Sequence, residues 1–219
     1  MTTGLDAEVE VLRARLLEML ARAEVMVRQA TRSLADRDPH GARAVIAADD
    51  DLNRLEIEVD AACLRILALR QPVGASLRFV TTAMKMVTDA ERIGDLASSV
   101  ASHGLVLHEE SGPDASMELA HMGAFAAEMV AAAVGAMVRG DAGAARDLAR
   151  MDLVLDRLNH ELIDRWIIAM DADPAQAFRG FRITMMSKDL ERIGDHVVNL
   201  GERIAFAIDG RDVRHGLPG

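Results

Sequence analysis

The sequence predicts an all-α protein made of two tandem up-down-up three-helix bundles. Three observations carry that prediction. The pentapeptide Glu-Arg-Ile-Gly-Asp occurs twice, as Glu91–Asp95 and again as Glu191–Asp195, close to half a chain length apart. That is an internal repeat of a large unit. Aromatic residues make up only 3% of the chain and there is no tyrosine, while Ala, Leu, Val, Met, Glu, Asp and Arg dominate. This is an alphabet of helix formers, poor in the residues that favour strands. The five prolines, at positions 39, 72, 113, 174 and 218, fall between long periodic segments or at the chain end, as helix breakers do.

Six helical segments follow from apolar residues at three- and four-residue steps. The first runs from about Asp6 to Leu34, through Val9, Leu12, Leu16, Met19, Ala23, Met26 and Ala30. Asp36–Gly41 breaks it. The second runs from about Ala42 to Leu69, through Val45, Leu52, Leu55, Val59, Leu64 and Leu67, and Arg70–Gly74 turns it. The third runs from about Ala75 to Leu107. The polar stretch His108–Asp114 carries both Gly and Pro and is the best boundary. The pattern then recurs as helices from about Ala115 to Val138, up to about Met170, and from about Ala175 to Ile208. Asp173 is a good N-cap followed by Pro174 at the first helical position. Short connections make neighbouring helices antiparallel, so residues 1–108 and 115–208 each read as one bundle, with 209–219 a loose tail.

The net charge is −10, which argues against nucleic acid as the main partner, since phosphates need clustered Lys and Arg. The single cysteine, Cys63, sits in an apolar helical context and excludes a disulfide framework, as in a reducing cytoplasm. The N-terminus lacks the basic and apolar regions of a secretory signal, and no uncharged apolar run of membrane-spanning length is present, so a cytoplasmic location is expected.

The repeated motif places two carboxylates four residues apart on one helical face: Glu91 with Asp95, and Glu191 with Asp195. The preceding helices offer matching pairs, Asp49 with Asn53 and Asp152 with Asp156. In a hairpin pivoting at Pro72, Asp49 is level with Asp95 and Asn53 with Glu91. In one pivoting between Asp173 and Pro174, Asp152 is level with Asp195 and Asp156 with Glu191. Carboxylates so gathered repel unless protonated or bridged by a cation. Hard cations with oxygen ligands fit: iron, manganese, magnesium or calcium, or zinc if His196 adds a nitrogen. The plain alternative is a solvated acidic face paired with Arg54, Arg92, Arg157 and Arg192. The helical glycines Gly94 and Gly194 each cost about 1 kcal/mol against alanine, so a close backbone approach, access for a bulky ligand or ordinary tight packing is expected there.

Other signals are weaker. Glu118-Leu-Ala-His121 has the Glu-x-x-His spacing of di-iron bundles, but no second copy exists. His160 and Asp164 read as a surface pair, Met84, Met86, Met185 and Met186 as core filler, and Trp166 as a packing residue. No Gly-rich phosphate loop or nucleophile elbow appears.

Four segments together resemble the PhoU family of phosphate-uptake regulators: Leu190–Asn199, its copy Asp89–Asp95, Leu67–Pro72 and Asp49–Glu56. The resemblance covers nearly the whole chain. It implies pseudo-twofold symmetry between the bundles and metal ions held by the acidic pairs. It also implies a non-enzymatic regulator that represses the phosphate-starvation response. Such a regulator links a phosphate ABC transporter ATPase to a sensor histidine kinase at the cytoplasmic face of the membrane, often as a homodimer. The first half departs from the family pattern: Asn53 stands for Asp, and Leu96 and Ser99 stand where the second half keeps His196 and Asn199. The second set is therefore expected to bind metal more strongly. Two other readings compete, a carboxylate-rich metalloenzyme or metal store, and a structural adaptor whose acids are only solvated.

Overall fold

The computed structural model describes residues 4–108 and 115–210. Six α-helices fill it: α1 (Gly4–Ala35), α2 (Pro39–Arg70), α3 (Gly74–His108), α4 (Ser116–Arg139), α5 (Ala142–Ala172) and α6 (Ala177–Asp209). A 3-10 turn, Pro174–Gln176, joins α5 to α6, and no strand occurs among the described residues. The boundary expected at 109–114, and the tail beyond 210, lie outside the described residues. Asp209, expected to open the tail, ends α6 instead.

The breakers act as the sequence implies, with one shift. Pro39 does not end a helix but occupies the first turn of α2, where a missing N–H costs nothing. Asp38 caps that helix by accepting from the His40 N–H, at 3.0 Å. Asp173 caps the 3-10 turn by accepting from the Ala175 N–H, at 3.1 Å. Gly140 ends α4 with φ of 64°, a left-handed conformation that suits glycine.

Within each half the three helices pack on one another, α1 with α2 and α3, and α4 with α5 and α6. The halves lie side by side, joined where α1 meets α4 and α3 meets α6. They are not independent units, because one cluster of buried apolar side chains runs through all six helices. α1 and α4 bury wide stripes because each is covered both by its own bundle and by the other helix. Small residues let them approach: a Cβ on Gly123 would stand 2.0 Å from Thr31 Cγ2. α4 is long and apolar enough to cross a membrane, with a mean hydropathy of 1.5 over its best window, yet half of that window is buried inside this core. Trp166 and Cys63 are buried, as expected of packing residues.

Candidate functional site

The α2–α3 hairpin brings the first acidic set together. Asn53 Nδ2 donates to Asp49 Oδ2 at 3.4 Å, while Asp49 Oδ1 is buried with no hydrogen-bond partner. On α3, Arg92 Nη1 lies 3.0 Å from Asp95 Oδ2 and its Nε 3.4 Å from Glu91 Oε2. Burial, then the Asp95 charge, push the Glu91 carboxyl up to about 7, with Glu56 adding to the rise. Burial and Asp95 also raise Asp49, and burial, Asp60 and Asp95 raise Glu56.

The α5–α6 hairpin builds the second set the same way. Burial pushes Asp152 up to about 6, reinforced by the charges of Asp156, Asp195 and Glu191. Asp152 therefore lies in the field of the other three predicted residues. Glu191 is buried, with Oε1 held 2.5 Å from Lys188 Nζ and Oε2 without a partner. Asp152 Oδ1 is likewise buried and unpartnered. An unpaired buried carboxylate oxygen is costly, so each such atom marks a place where a cation or donor would be stabilising.

Among the described residues, no three His, Cys, Asp or Glu side chains are already grouped as a bound metal would need them. Arg92 and Lys188 instead hold carboxylate oxygens of the first and second sets. His196 does not complete the second set. Its Nδ1 lies 3.1 Å from Asp89 Oδ1, across the α3–α6 seam. Successive helical residues are about 100° apart, so His196 leaves the face that Asp195 occupies.

Sequence reasoning passed over Glu56. It lies seven residues, two helical turns, beyond Asp49 and on the same face. In the second half that position is Asn159, a buried side chain that accepts from Ser187 Oγ at 2.7 Å. Asn53 and Glu56 thus answer Asp156 and Asn159. The first set has Asp49, Glu56, Glu91 and Asp95; the second has Asp152, Asp156, Glu191 and Asp195. The charge missing at Asn53 returns one turn later. Glu118 of the Glu118–His121 motif pairs with Arg165 at 3.2 Å; His160 Nδ1 lies 2.7 Å from the Asp156 carbonyl oxygen of its own helix.

The PhoU domain matches residues 16–103 and 119–204, one copy in each bundle. The chain belongs to the PhoU family. The chain is 38% identical to the phosphate-specific transport system accessory protein PhoU homolog of Pseudomonas aeruginosa, over 96% of this chain and 87% of that one. It is 28% identical to the Escherichia coli accessory protein PhoU over the same shares. The crystal structure of PhoU from Pseudomonas aeruginosa superposes with a TM-score of 0.90 at 37% identity, covering 94% of this chain and 99% of that one. The PhoU from Streptococcus pneumoniae, described as a phosphate transport system regulatory protein, gives 0.87 at 27% identity, covering 95% and 99%. The two-bundle fold is that of the PhoU structures, and the matched segments contain both acidic sets.

Proposed function

We propose that this PhoU-family protein is a non-catalytic accessory regulator of phosphate uptake. The observation that carries this reading is the family match over both repeats, with relatives named as accessory or regulatory proteins of phosphate transport. The protein acts in the cytoplasm, links a phosphate ABC transporter ATPase to a sensor histidine kinase, and works as a homodimer touching the membrane only through those complexes. Phosphate transport is a membrane event, and with α4, the most apolar helix, half buried in the core, the protein would reach it through a partner's cytoplasmic domain. The test is deletion of the gene. Phosphate-starvation genes become active in rich phosphate; reporter expression and uptake both unchanged would reject the reading.

The acidic sets fit hard divalent cations, because their donors are carboxylate and amide oxygens and because Asp49 Oδ1, Asp152 Oδ1 and Glu191 Oε2 lie buried without partners. In our reading Asp152, Asp156, Glu191 and Asp195 hold one cation centre, and Asp49, Asn53, Glu56, Glu91 and Asp95 another. A bound cation would relieve the carboxylate repulsion that burial intensifies. Iron, manganese, magnesium and calcium suit these oxygens; zinc suits them less well with His196 engaged elsewhere. Elemental analysis of the purified protein tests this, and absence of stoichiometric metal after growth in metal-replete medium would favour an adaptor with solvated acids.

A further inference from the structure

The repeated motif extends two residues upstream, to Asp89 and Asp189, and the acidic sets use neither. Both carboxylates are 4% exposed. Each reaches across to the other repeat. Asp89 of α3 is held from α6 by Arg203, as an ion pair, and by His196 Nδ1 at 3.1 Å. Asp189 of α6 is held from α3 by Ser99, whose Oγ donates at 2.6 Å. Burial raises the Asp189 carboxyl, with Ser99 and then His103 of α3 working against that rise, and Arg182 of α6 lies 3.1 Å from His103 Nδ1. Arg203 Nη1 also donates to the Lys85 carbonyl at 2.6 Å.

These ties are reciprocal. Asp89 and Asp189 are equivalent positions of the two repeats, as are His103 and Arg203. Along the seam the numbers run in opposite senses: Lys85 meets Arg203, Asp89 meets His196, Ser99 meets Asp189, and His103 meets Arg182. α3 and α6 are therefore antiparallel, with two polar ties toward each end of the seam. The other joint between the repeats, α1 on α4, buries Leu, Ala and Met side chains with Gly123 against Thr31. Apolar faces of small residues tolerate sliding, whereas a buried polar group has few satisfying registers.

We propose that Asp89 and Asp189 form a reciprocal latch that fixes the register of the two repeats along α3 and α6, and with it the spacing between the two acidic sets. The link to the sets is short, since Glu91 and Glu191 follow these aspartates by two residues. The latch rests on the seam geometry alone and holds whatever the acidic sets bind.

The experiment is a spin-label distance measurement on the full chain, with labels at Ala61→Cys on α2 and Asp164→Cys on α5, both exposed. Cys63 is buried, its thiol pushed up to about 12, and stays unlabelled. The native seam gives one narrow distance distribution. Asp89→Ala with Asp189→Ala broadens or splits it while helical content by circular dichroism stays native. Asp189→Asn, which keeps an acceptor for Ser99, gives a near-native width. A native width in the double alanine variant overturns the latch. Should that variant fail to fold, Ser99→Ala and Arg203→Gln are measured singly, and native widths in both overturn it equally.

Discussion

Asp152 of α5 rests against the bare backbone of Gly194 in α6. A Cβ at residue 194 would stand 2.3 Å from Asp152 Oδ1 and 2.9 Å from Leu155 Cδ2. The first repeat solves the same crossing with an apolar side chain, since a Cβ on Gly94 would stand 2.1 Å from Leu52 Cδ2. Both motif glycines serve close helix approach. In the second half that approach also presses an acidic side chain onto the neighbouring helix, which is why Asp152 is partly desolvated.

If the sets hold cations, Asp156→Ala with Asp195→Ala removes metal from the second set, read by elemental analysis and calorimetry. Retained metal rejects the assignment. If Glu56 restores the charge that Asn53 lacks, the first set should bind a cation about as well as the second. Glu56→Gln lowers its cation affinity about tenfold or more, the scale of ~1.4 kcal/mol. Asn53→Asp raises it. An unchanged isotherm for Glu56→Gln removes Glu56 from the set.

In chelator-treated protein the buried acids give a pH signature. Glu91 is raised from 4.5 to about 7 and Asp152 from 3.8 to about 6. A carboxyl raised on folding binds its proton more tightly in the native state, so its ionised form costs stability. The contribution of these two groups is therefore least favourable above pH 7 and improves as pH falls toward about 4. Glu91→Gln and Asp152→Asn should raise the denaturation midpoint at pH 8, with the gain shrinking by pH 5. A gain that does not vary with pH would show that burial is not what strains them.

Two helical glycines separate backbone contact from side-chain contact. A Cβ on Gly201 would stand 2.3 Å from the Ala145 carbonyl oxygen, which is backbone and cannot rotate away. The contact at Gly94 is the tip of Leu52, which can. Gly201→Ala should cost about 2 kcal/mol through overpacking. Gly94→Ala should cost less, because alanine's helix propensity returns about 1 kcal/mol. Equal losses in denaturant titrations would refute the distinction.

Asp141 caps α5 by accepting from the Ala144 N–H at 2.9 Å. Asp141→Ala should lower stability by about 1 kcal/mol. No measurable change would mean that water caps the helix equally well.

The helices, their order and their hairpin pairing were legible in the sequence, because they rest on local signals. The periodicity of Leu12, Leu16 and Met19 marks a buried face, Asp173–Pro174 marks a start, and the level pairing of Asp152 with Asp195 needs only a short turn; that Asp38–Pro39 opens α2 rather than only breaking α1 was missed. Family membership was legible too, through the repeated motif. Tertiary structure decided what those signals leave open. Whether α3 turns a polar face to solvent or to α6 depends on a helix about a hundred residues away, and no spacing within either hairpin encodes it. That contact gave His196 to Asp89 and made Asp89 and Asp189 seam residues. The same holds for charge: that Glu56 shares a field with Glu91 and Asp95 follows only once burial lowers the local dielectric between two packed helices. Local pattern names the surfaces each helix offers, and packing alone settles which of them meet.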